Sequence, residues 1–143
     1  MFRQLTPDLL VAPQICCNDI VEAAHMGVRL VINNRPEDES DDQTPGPDIE
    51  AAARSAGLEY IAIPVTHAGF SEPQVQAMAK ALADAGGPVL AYCRSGTRST
   101  LLWGLAEASQ GGDPDALTNI AAKAGYDLTP IRPLMDMLKA RAN

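Results

Sequence analysis

The residues best suited to chemistry stand together in Cys93-Arg94-Ser95-Gly96-Thr97-Arg98-Ser99. The apolar run Val89-Leu90-Ala91-Tyr92 stops at the cysteine, a polar turn with one glycine follows, and Thr100 to Ala106 reads as the first turns of a helix. Strand, loop, helix is the arrangement that aims backbone N–H groups and the positive end of a helix at one point. A cysteine at that point meets a field that favours the thiolate. Cys93 therefore reads as a nucleophile in an anion cradle. The amides from Arg94 through Ser95, Gly96 and Thr97 to Arg98 would line it. Arg98 would clamp a substrate oxyanion with its fixed fork of donors. Arg94 would draw in anionic substrate, and Gly96 would supply a positive φ or a close backbone approach. Ser99 is expected to hydrogen-bond the Cys93 sulfur.

The elements that must position this loop follow from the rest of the chain. Phe2–Leu5 and Leu9–Ala12 flank Thr6-Pro7-Asp8 and predict an opening hairpin. Asn18 or Asp19 predicts the cap of a helix running to His25, closed by Gly27. Val28–Ile32 predicts a strand ending at Asn33-Asn34-Arg35-Pro36. Glu37–Pro47 is acidic and rich in Pro, Gly, Ser and Asp, which predicts a solvated surface loop. Helix is predicted over Asp48–Ala56, strand over Leu58–Val65, and helix from Ser71 to Ala85. Gly86-Gly87-Pro88 breaks the chain before the strand into Cys93. Further helices are predicted over Asp115–Ala124 and from Thr129-Pro130 to Ala140. Strand–helix alternation with a helical last third predicts an α/β fold: a central, mainly parallel sheet of four to five strands with helices on both faces. Ligands in such sheets bind outside the carboxyl ends of strands. Cys93, Asn33–Arg35 and Thr66-His67 all fall at such ends. Asn34 and Arg35 are candidates to brace the loop from a neighbouring strand.

Residues 1–143 read as one domain by size. The net charge of −7 and pI of about 4.6 set the surface against nucleic acid and anionic membranes. An anionic substrate must then be held locally. The opening residues carry no apolar leader core, no run is long enough to span a bilayer, and three cysteines point to reduced thiols in a cytoplasm. Cys16-Cys17 is too close for an ordinary disulfide, and no histidine pattern makes a metal site with it. No cofactor is called for, and association with further copies of the chain stays open.

Cys, four residues, Arg, with Gly third after Cys, resembles the active loop of the rhodanese sulfurtransferases. The body around it resembles the dual-specificity protein phosphatases instead. The opening hairpin, Val31-Ile32-Asn33-Asn34-Arg35-Pro36, the Ile61–Val65 strand and the helices after the loop occur in that order. Together they are similar to the bacterial beta-lactamase-hydrolase-like proteins with a phosphatase-like domain, the DUF442 type. The resemblance implies a cysteine-phosphatase-like fold and a thiolate held by loop amides and an arginine.

Two features separate the reactions that this resemblance allows. Phosphatase loops have five residues between Cys and Arg, whereas here four intervene and Ser99 falls where the longer loop has its arginine. A tighter ring suits a persulfide or thiosulfate-type group. Phosphatases also place an aspartate general acid on the loop after the preceding strand. Thr66-His67-Ala68-Gly69-Phe70-Ser71 has none, and His67 is its one residue able to donate a proton near neutrality. Losing a general acid slows a reaction by about 100- to 10,000-fold, and sulfur transfer needs none. The expectation is therefore a sulfurtransferase that passes sulfane sulfur through a Cys93 persulfide, from a small anionic sulfur donor to a thiol acceptor. A phosphatase working through a Cys93 phosphocysteine on a small phosphate substrate is the alternative. A non-catalytic anion-binding or sensor module is the third reading.

Overall fold

A turn at Pro7-Asp8 folds β1 (Arg3–Thr6) antiparallel onto β2 (Leu9–Ala12), as the hairpin signal predicts. The computed structural model describes residues 2–142. Three further strands, β3 (Leu30–Asn33), β4 (Glu59–Ala62) and β5 (Val89–Tyr92), complete a five-stranded sheet in the order β1-β2-β5-β3-β4. All pairings except the hairpin are parallel. β5 lies at the centre, hydrogen-bonded to β2 on one side and to β3 on the other. The carboxyl ends of β2, β3 and β5 therefore finish side by side, and Cys93 follows the middle one.

Among the described residues six α-helices cover the two faces. Helices α1 (Cys17–His25) and α2 (Gly46–Ser55) cover one; α3 (Glu72–Asp84), α4 (Thr97–Ser109), α5 (Pro114–Lys123) and α6 (Arg132–Arg141) cover the other. The pleat of β5 sorts its side chains accordingly. Leu90 and Tyr92 pack with Ile20, Ala23, Ile49 and Ala53, whereas Val89 and Ala91 pack with Met78, Leu102, Trp103 and Met135. Helix α4 is buried on most of its surface, from Ser99 through Leu102, Trp103 and Leu105 to Ala108, because α3 and α6 flank it. The segment from β5 through the loop into α4 is thus held inside the core at both ends, which fixes the turn between them.

Several boundaries differ from the sequence reading. Helix α1 begins two residues earlier than a cap at Asn18 predicts, with Cys16 as its N-cap; Asp19 sits at the third helical position, where its carboxylate accepts the Cys16 N–H at 2.8 Å. Helix α2 starts at Gly46, in front of Pro47. β4 stops at Ala62, two residues before Pro64, which cannot donate to a ladder. Ser71 caps α3 with Gln74 in a reciprocal capping box. Among the described residues no helix is long and apolar enough to cross a membrane.

Candidate active site

Cys93 leaves β5 fully buried, with its N–H on the Ala12 carbonyl at 3.4 Å. The chain then turns through Arg94 and Ser95 to Gly96, which caps α4 at φ 91°. A residue with a Cβ is strained there, so the one glycine of the loop stands where a left-handed turn requires it. The turn carries the Gly96 N–H back onto the Cys93 sulfur at 3.1 Å. The sulfur thus faces the N-terminal end of a 13-residue helix, where backbone donors and the helix field favour negative charge. Within the loop, Ser95 Oγ donates to Thr97 Oγ1 at 2.9 Å and accepts the Thr97 N–H at 3.3 Å. The Arg94 carbonyl takes the Gln14 N–H at 3.2 Å while the Arg94 side chain lies exposed.

Arg98 stands in the first turn of α4, its side chain 14% exposed. Its Nη1 donates to Glu39 Oε2 and to the Val65 carbonyl, each at 2.7 Å, and its Nη2 donates to Glu39 Oε1 at 2.9 Å. The end of the guanidinium is thereby tied down, and the edge formed by Nε–H and the second Nη2–H is left for another acceptor. The Glu39 bond is the main cause that raises the Arg98 pKa, against desolvation, and the nearby Cys93 sulfur adds to it. Glu39 in turn is held at a pKa of about 2, chiefly by Arg98; burial opposes the shift and Arg35 reinforces it through an Nε–Oε1 bond of 2.9 Å.

The strand-end residues brace this arrangement. Asn34 is completely buried, donates to the Ile63 carbonyl at 2.9 Å and accepts the Ser99 hydroxyl at 2.7 Å. Ser99 therefore spends its hydroxyl proton on Asn34 rather than on the sulfur. Arg35, 4% exposed, ties Glu39 to Gln14 Oε1 at 2.9 Å and to Ser40 Oγ at 3.1 Å. His67 lies exposed on a turn after β4.

The structure thus gathers Cys93, Gly96, Arg98, Asn34, Arg35 and Ser99 at one end of the sheet. It adds two residues that the sequence reading passed over. Glu39 comes from the stretch read as a solvated loop, and it lies folded onto the site. Tyr126, between α5 and the short helical turn Thr129–Ile131, donates its hydroxyl to the Ser95 carbonyl at 3.3 Å. Neither has a local signal: Glu39 is one acid in an acidic run, and Tyr126 is a single tyrosine after a glycine.

The family described as the phosphatase-like domain of beta-lactamase hydrolase-like proteins matches residues 1–110. The chain belongs to this family. A beta-lactamase hydrolase-like protein of Xylella fastidiosa is 38% identical over 122 residues, which are 84% of this chain and 28% of that protein. The chain thus spans little more than a quarter of this longer relative. A crystal structure of a candidate phosphatase from Neisseria meningitidis superimposes with a TM-score of 0.83 at 32% identity, covering 95% of this chain and 96% of the other. PTPMT1, at 15% identity and a TM-score of 0.77, shares the fold over 99% of this chain and 98% of its own. In this phosphatase-like domain the Cys93 loop stands at the carboxyl ends of β2, β5 and β3.

Proposed function

We propose that the chain is a cysteine-dependent phosphatase acting on phosphate monoesters. The observation that carries this reading is the Gly96 N–H on the Cys93 sulfur, with Arg98 fixed alongside by Glu39. Preorganised donors around a nucleophilic sulfur suit a trigonal phosphoryl group, whose equatorial oxygens carry the charge. The Cys93 thiolate attacks phosphorus in line with the ester oxygen. The S–P bond forms as the P–O bond breaks, giving a phosphocysteine and an alcohol whose oxygen takes a proton from water or from His67. Water then attacks phosphorus, the S–P bond breaks, and phosphate leaves with the thiolate restored. Loop amides and the free edge of Arg98 hold the phosphoryl oxygens through both steps.

The relatives reverse the order expected from the sequence, in which sulfur transfer came first. That expectation rested on the four-residue spacing between Cys93 and Arg98 and on the absence of an aspartate from Thr66–Ser71. Rhodanese-like and phosphatase-like sites share a thiolate cradle, so one residue of loop length weighs less than the body around it. That body is matched by a phosphatase-like family over residues 1–110 and by the Neisseria candidate phosphatase over nearly the whole chain. A small anionic phosphate substrate then takes the place of the sulfur donor and thiol acceptor.

Steady-state turnover of 4-nitrophenyl phosphate by freshly reduced protein tests the reading, with Cys93→Ser as control. Turnover lost in the variant supports it. Transfer of sulfur from thiosulfate to a thiol, with no phosphate release, would replace it with the sulfurtransferase.

A further inference from the structure

Tyr126 touches the active loop from outside the residues that the family match covers. Its ring is buried to 8% exposure. One side of the ring carries the Arg3 guanidinium, 5.2 Å from its centroid, and Arg3 Nη1 also donates to the Ala124 carbonyl at 2.9 Å. That pair of contacts fixes the entry of the chain into Tyr126 from β1. The hydroxyl end rests on the loop itself. It donates to the Ser95 carbonyl, and a Cβ built on Gly96 would overlap Tyr126 Oη and stand 3.1 Å from Cζ. The peptide that receives this hydroxyl is the one whose N–H, on Gly96, points at the Cys93 sulfur. Ser95 carbonyl and Gly96 amide are two ends of one rigid planar unit. A donor on the carbonyl end therefore sets the direction of the amide end.

We propose that Tyr126 is a positioning residue of the Cys93 loop, holding the Ser95–Gly96 peptide so that its N–H stays aimed at the sulfur and at a bound oxyanion. This inference rests on the reading of the loop as an anion cradle around a nucleophilic thiol. Burial raises the Tyr126 pKa, with Arg3 opposing, so the phenol remains a donor throughout the neutral range. The seat against Gly96 supplies shape and the hydroxyl supplies direction, and the two can be separated by substitution.

Tyr126→Phe keeps the ring and removes the hydroxyl; Tyr126→Leu removes both. The measurement is the rate at which iodoacetamide alkylates Cys93 in the full chain, with tungstate as the competing oxyanion, alongside kcat and KM for 4-nitrophenyl phosphate. In Tyr126→Phe the tungstate concentration that halves alkylation should rise about fivefold, the weight of one hydrogen bond, while the thermal midpoint stays within about 4 °C. The kcat should fall by a similar factor, with Tyr126→Leu worse on both counts. Unchanged tungstate protection in Tyr126→Phe would overturn the proposal, whatever happens to Tyr126→Leu. A wild-type protein that tungstate protects but that releases no phosphate removes the phosphatase reading and leaves the role of Tyr126 standing. A wild-type Cys93 that tungstate never protects removes both.

Discussion

Glu39 and Arg98 meet through two hydrogen bonds, 2.7 Å from Nη1 and 2.9 Å from Nη2, so the carboxylate takes the end of the guanidinium and leaves its Nε edge turned away. The side chains are 15% and 14% exposed, which shields the pair from much of the solvent that weakens surface ion pairs. Glu39→Gln keeps the volume and removes the charge. Hydrogen bonds to charged groups are worth about 1.5–3 kcal/mol, so kcat/KM for 4-nitrophenyl phosphate should fall by about 10- to 100-fold. A variant with full activity would show that Arg98 orients itself.

The same pair makes stability depend on acid. The folded-state pKa of Glu39 is about 2, against 4.5 for the free side chain. A depressed carboxyl pKa means that the unfolded chain binds the proton more readily, so the stabilisation is full above about pH 4.5 and is lost as pH falls toward 2. The thermal midpoint of the native protein should exceed that of Glu39→Gln at pH 6, and the gap should close on acidification through that window. A gap that stays constant down to pH 2.5 would count against the assignment.

Ser99 and Asn34 form a buried link between α4 and the end of β3, at 2.7 Å. Ser99→Ala leaves the Asn34 carbonyl oxygen buried without this donor. The expected loss is about 1–3 kcal/mol, read as a lower denaturant midpoint with an unchanged slope. An unchanged midpoint would mean that the link adds nothing to the core.

Tyr92 presents the opposite case. Its hydroxyl is buried and finds no hydrogen-bond partner among the described residues, and burial drives its pKa far above the usual phenol range. Tyr92→Phe removes an unsatisfied polar atom, so stability should stay level or rise by about 1 kcal/mol. A clear loss in the denaturation curve would reveal a partner for that hydroxyl in solution.

Gly96→Ala should destabilise the fold and impair the site together. The left-handed conformation costs a non-glycine residue about 1–2 kcal/mol, and the added methyl would overlap Tyr126 Oη. Combining it with Tyr126→Ala relieves the overlap but not the backbone strain, so midpoint and activity should recover only in part. Complete recovery would show that φ 91° is not required at this position.

The loop was legible in the sequence because its signals are local. A strand ending at cysteine, one glycine and a following helix fall within a dozen residues, and the alternation of strands with helices points to a mainly parallel sheet. Arg35 and Asn34 were legible as strand-end residues, though not their partners. Glu39 was not legible, because one acid in Glu37–Asp42 looks like the next and its role comes from Arg98, 59 positions away. Ser99 looked free to reach the sulfur because sequence cannot tell which way the first turn of α4 faces. The loop spacing weighted the choice of reaction toward sulfur transfer for a related reason: ring size is a local clue, whereas the fold that favours the phosphatase reading is spread over the whole chain.

The central strand is the last of the five to leave the ribosome. β2 has its hairpin partner at once, but its parallel partner is β5, with Leu9 beside Val89, and β3 also waits for the same strand. Such long-range pairing makes assembly slow, since the intervening chain must be ordered before the contact rewards it. Cys93 follows that late strand directly. The enclosure of the Cys93 thiol thus depends on the same strand that closes the sheet.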